Sequence, residues 1–108
     1  MKNIGKLLEN IQKHESGATL QNYISAHYAH GYQYSRTPNT GTNTAATVKE
    51  AMAIIQNLRG SCGIWYHAGL FYIETSYHTY SLIEAVLEAR KHHQISIYDW
   101  ARDAYINL

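Results

Sequence analysis

The sequence predicts an α+β fold, with helices packed on a small, mostly antiparallel sheet in the order ααα-ββ-α-ββ. Three observations predict it. Thr47-Val48-Lys49-Glu50 and Ser81-Leu82-Ile83-Glu84 are capping boxes, each ahead of an apolar stripe of helical period. IWYH and LFYIETSYH, rich in aromatic and β-branched residues, flank Ala68-Gly69 and read as a β-hairpin. A chain of 108 residues, 45% hydrophobic and 16% charged, is globular and has room for one core. The expected organisation is a single domain over 1–108. It divides into a helical part, 1–60, interrupted by a loop over 31–46, and a ββαββ unit over 63–108.

Each element has its own signal. Ile4, Leu7, Leu8 and Ile11 recur at i, i+3, i+4, i+7, with Lys2, Lys6, Glu9 and Lys13 on the other side, so the first helix covers residues 3–13. Leu20, Tyr23, Ile24, His27 and Tyr28 repeat that spacing and predict a second helix, with Gly31 as its C-cap. The Pro, Asn, Gly and Thr content that follows predicts the long loop. Thr47 then starts a helix with Val48, Ala51, Met52, Ile55 and Leu58 inward, closed by Gly60. With a two-residue turn in the hairpin, Tyr66 faces Phe71 and Ile64 faces Ile73, which leaves Trp65 and Tyr72 sharing the outer side. A three-residue turn would shift that register by one. Ser81 starts the last helix, with Leu82, Ala85, Val86 and Ala89 inward, and Arg90, Lys91, His92 and His93 suit its negative end. ISIYDW and AYINL form a second hairpin around Ala101-Arg102-Asp103.

Composition narrows the function classes. Nine Lys and Arg against eight Asp and Glu give a net charge of +1, far from the basic excess of a dedicated DNA binder. The cations are scattered singly rather than gathered in a stripe. Cys62 is alone, so no intrachain disulfide forms and a reducing compartment fits. The uncharged stretch between Arg36 and Lys49 is Thr, Asn and Ala rather than Leu and Val, and no membrane span is expected. Charges spread along MKNIGKLLENIQKHE interrupt any secretory h-region, and the expected location is the cytoplasm.

The reactive residues lack the company that chemistry needs. His27 and His30, at i, i+3 on the expected second helix, could share a metal, but no CxxC, HExxH or carboxylate cluster completes a zinc set. A hydrogen-bonded core imidazole accounts for His27 equally well. His92 and His93 diverge by about 100° on a helix and cannot chelate one ion. Cys62 lies in Gly60-Ser61-Cys62-Gly63, where the glycines explain a turn without invoking a nucleophile, although His67 and His78 are candidate bases. Glu74 and Asp99 are isolated acids. No cofactor, metal or catalytic residue is expected.

Tyrosine is the anomaly: ten of them, beside one Phe and two Trp, are more than so small a core requires. Tyr, Trp and Arg are enriched at binding hot spots because they supply contact area with few rotors to freeze. Tyr32, Tyr34 and Arg36 alternate in HGYQYSRTPNTGTNT, so in extended chain all three point one way and form a loop patch. Trp65 and Tyr72 form a second patch on the hairpin. The same rings could stack on bases, but the scattered cations favour a protein partner over nucleic acid.

The stretch from Gly63 to Leu108, and especially HHQISIYDW followed by YINL, resembles small accessory proteins of phages and prophages, in which a hairpin and a helix precede a phrase of this type. The resemblance implies a mobile-element origin and a protein that binds and blocks a host or defence protein, such as a CRISPR effector, in the anti-CRISPR manner. It carries over no catalytic residue. The expectation is therefore a non-catalytic, protein-binding inhibitor, with homodimerisation left open. The alternative is a small nucleic-acid-associated regulator using the same aromatics with Arg36, Lys49 and Arg59, and after it a histidine-based metal protein or enzyme.

Overall fold

The computed structural model describes residues 2–36 and 43–108. In chain order its elements are α1 (Lys2–His14), β1 (Gly17–Gln21), β2 (Ile24–Ser25), β3 (Tyr32–Tyr34), β4 (Asn43–Ala45), α2 (Val48–Asn57), β5 (Cys62–His67), β6 (Leu70–Glu74), β7 (Tyr77–Thr79), α3 (Leu82–Lys91), β8 (Ser96–Asp99) and β9 (Ala104–Asn107). The fold is α+β. Among the described residues there are three helices and two antiparallel sheets, of five and four strands. Helices and strands interleave, so the expected order ααα-ββ-α-ββ is corrected. The chain forms two compact units, each built on one sheet.

In the first unit the strand order is β2-β1-β5-β6-β4. Ile4, Leu8 and Ile11 of α1 and Ala51 and Ile55 of α2 pack with Leu20, Cys62, Ile64, Phe71 and Ile73 in one apolar core. The hairpin register is the one a two-residue turn dictates: Tyr66 pairs with Phe71, Trp65 with Tyr72 and Ile64 with Ile73. Ala68 and Gly69 at the turn have φ of 50° and 88°, as the right-handed strand twist requires of a tight hairpin.

The expected second helix is instead the β1–β2 hairpin. Gln21 pairs with Ile24, and the intervening Asn22 and Tyr23 take φ of 50° and 66°. Leu20, Tyr23 and Ile24 match helical spacing over too few residues to decide the conformation. Tertiary pairing decides it, since β1 lies against β5 from Gly17↔Trp65 to Leu20↔Cys62. Gly31 is therefore no helix cap. The expected loop over 31–46 contains β3 and β4, and its residues 37–42 lie outside the described residues.

The second unit has the strand order β7-β3-β8-β9. Ala85 and Ala89 of α3 pack with Tyr34 and Ile97, and Tyr32, Val86, Ile106 and Leu108 pack around them. Both expected N-caps are present. The Thr47 and Ser81 hydroxyls accept from the Glu50 and Glu84 amides, each at 3.1 Å. Glu50 also accepts from the Thr47 hydroxyl, and Glu84 from that of Thr79, two residues ahead of its own cap.

All three helices stop in the same way, on a residue other than glycine. Glu15, Arg59 and His93 have φ of 45°, 56° and 59°. In each case the next amide reaches back to close the last turn: Ser16 to Ile11, Gly60 to Ile55 and Gln94 to Ala89, at 2.9–3.1 Å. These are Schellman closures with a side chain in the position glycine usually takes. Gly60, expected to close α2, is the residue after that position.

Candidate functional site

Tyr32, Tyr34 and Arg36 are not a loop patch. Tyr32 and Tyr34 belong to β3, whose alternation does send both toward α3. Tyr34 is only 5% exposed and is a core residue; Tyr32 is half-buried. Arg36, just past the strand, is exposed. Its guanidinium carbon lies 4.3 Å from the centroid of the Tyr77 ring on the neighbouring strand and 5.9 Å from that of Tyr34. The two tyrosine rings stack at 5.6 Å, which is the spacing of the paired positions Tyr34↔Tyr77. The Arg36 amide donates to the Thr75 hydroxyl at 3.0 Å, and the Tyr34 hydroxyl accepts from the guanidinium at 3.5 Å, holding the Arg36 pKa above its ordinary value. A long cation is thus held against two rings at one end of β3 and β7.

Trp65 and Tyr72 share the sheet face opposite the first core, as the register demands. Trp65 is 47% exposed and Tyr72 half-buried. Their row continues to Gly17 on one side and Thr44 on the other. Gly17 matters here: a Cβ on it would come within 2.5 Å of the Trp65 indole, so the ring lies directly over the glycine backbone.

A third aromatic surface escapes the sequence reading. Since Tyr32, Tyr34 and Ile97 face α3, their neighbours Gln33 and Tyr98 face the other way. There they form a cross-strand row, His78–Gln33–Tyr98–Tyr105. The Trp100 indole N–H donates to the Gln33 side-chain oxygen at 3.1 Å, and its ring meets Tyr98, Tyr28 and His27 edge-on at 5.1–5.4 Å. Tyr28 stacks flat on His78 at 3.8 Å, and the Tyr98 hydroxyl donates to Asp103. A Cβ at Gly31 (φ 99°) would strike the His78 ring at 2.4 Å, so glycine lets the imidazole approach; its Nε2 lies 2.9 Å from the His30 carbonyl. Tyr98 and Trp100, two apart, were the available signal. The long-range partners His78 and Tyr28 left none.

Burial raises the pKa of two titratable groups among the described residues. Cys62 is buried, and desolvation pushes its thiol up to about 12, so it is inert rather than nucleophilic. Burial also raises the Glu74 carboxyl above its ordinary range. His27 and His30 lie in a loop rather than on one helix face, and among the described residues no group of three His, Cys, Asp or Glu is placed to hold a metal. A shallow groove of about 590 Å³ is lined by His30, Tyr32, Tyr80, Asp99 and Arg102. Asp99 at its edge is committed locally, accepting from the Ala101 and Arg102 amides. No described helix is long and apolar enough to cross a membrane. No protein-family model, curated protein or solved structure matches the chain.

Proposed function

We propose that the chain is a non-catalytic binding protein whose exposed Arg36, held on Tyr77 and Tyr34, anchors a protein partner. The observation that carries this reading is the 4.3 Å stacking of the guanidinium on Tyr77. A free arginine loses much rotamer freedom on association, whereas one already held on a ring loses less and presents its donors in a fixed direction. Trp65 with Tyr72 supplies a second amphipathic patch on the other unit. With the resemblance of residues 63–108 to phage accessory proteins, the partner is a host or defence protein of the bacterial cytoplasm. The mode is inhibition by stoichiometric occupancy, of the anti-CRISPR type. The test is capture from a bacterial lysate with the tagged chain, followed by mass spectrometry. One saturating protein partner is expected, lost with Arg36→Ala and retained with Lys49→Ala. Recovery of the same proteins by both variants would refute the assignment.

A second reading has its own support in the row His78–Gln33–Tyr98–Tyr105. Exposed aromatic residues on a sheet face stack unpaired bases, and Tyr105 at the end of this row is 63% exposed. It predicts salt-sensitive binding to single-stranded oligonucleotides, abolished by Tyr105→Ala and unaffected by Arg36→Ala.

A further inference from the structure

Helix α3 is inverted relative to an ordinary amphipathic helix. It turns Ala85, Val86 and Ala89 to its own sheet and leaves its three largest aliphatic residues exposed: Leu82 by 43%, Ile83 by 73% and Leu87 by 63%. Ile83, Leu87 and Lys91 fall at i, i+4, i+8 and form one outward row. Glu84 flanks the start of this row, and Arg90 and Lys91 close it. We infer that this row of α3 is a self-association surface, on which a second copy of the chain docks its own α3 antiparallel across a two-fold axis near Leu87.

The charges select that occupant. A two-fold axis perpendicular to the helix keeps each flank on its own side and reverses the direction of the chain. Glu84 at the start of one copy then lies opposite Lys91 at the end of the other, and the pair occurs twice. The helix dipoles also run antiparallel. Leu87 meets Leu87 at the axis, and Ile83 is covered by the methylene stems of Arg90 and Lys91 from the other copy. A helix of ten residues is about 15 Å long and offers a small contact, so a dimer in the micromolar range is expected rather than a permanent one. Arg36 is not a member of this row, and self-association does not depend on the partner reading.

Sedimentation of the full chain over a concentration series tests the proposal. The mass should rise from 12.3 kDa toward twice that value, and Leu87→Glu should hold it at the monomer with an unchanged urea midpoint. Mild oxidation should link Leu87→Cys chains into a disulfide dimer and leave Lys49→Cys, exposed on α2, unlinked; buried Cys62 does not compete. A monomer at every concentration overturns the proposal. So does a dimer that survives Leu87→Glu, equal linking of the two cysteine variants, or a Leu87→Cys chain that links only to a different protein.

Discussion

Positions 59 and 60 have positive φ, 56° and 73°, yet replacing them should move stability in opposite directions. Arg59 holds a left-handed conformation that costs an L-residue about 1–2 kcal/mol. Arg59→Gly removes that cost and adds back about 0.5–1 kcal/mol of chain entropy, so a net gain of about 0.5 kcal/mol is expected. Gly60→Ala meets the same conformational cost and a collision besides. Its Cβ would lie 2.6 Å from the Tyr23 backbone nitrogen and 2.5 Å from Cγ of the Tyr23 ring. The backbone atom cannot swing aside, because the Tyr23 amide donates to the Gly60 carbonyl at 2.9 Å and ties the β1–β2 turn to the end of α2. Overpacking of this kind costs about 1–3 kcal/mol, giving with the conformational cost a total loss of about 2–5 kcal/mol. Urea denaturation followed by far-UV circular dichroism reads both. A lower midpoint for Arg59→Gly, or an unchanged one for Gly60→Ala, would refute the closure described for α2.

Thr47→Ala and Ser81→Ala should each lower stability by about 0.5–2 kcal/mol in the same assay, because each strands a first-turn amide. Cys62 should resist a thiol reagent at pH 8 in the native state and react fully in denaturant, since burial leaves almost no thiolate. Glu74 works against folding at neutral pH. Its folded pKa is raised, so the native state binds the proton more tightly, and stability should fall as pH rises from the ordinary value of 4.5 through the folded pKa. Glu74→Gln should remove that fall and be more stable than the parent at pH 7 but not at pH 4, as paired urea titrations would show.

What was legible in the sequence was local. The N-caps of α2 and α3 act within four residues and were readable, whereas the sequence left two β5–β6 registers open, of which the two-residue turn's is the one formed. β1 was not, because Leu20, Tyr23 and Ile24 fit a helix until Asn22 and Tyr23 turn left-handed and β5 claims the strand. β3 and β4 are three residues each, and their pairing with β7, β8 and β6 depends on partners 26 to 67 positions away. The same distance governs the candidate site. Alternation put Tyr32, Tyr34 and Arg36 on one side of the chain, as observed, but only the packing of α3 over that side makes Tyr34 core and leaves Arg36 exposed.

The claim that a protein partner is anchored at Arg36 is tested most directly by calorimetric titration of the captured partner with the parent chain and with Arg36→Ala. A one-to-one complex is expected, weakened by about 2 kcal/mol, roughly 30-fold, in the variant while its urea midpoint stays within about 0.5 kcal/mol of the parent. Equal affinity for the two chains, with equal stability, would contradict it.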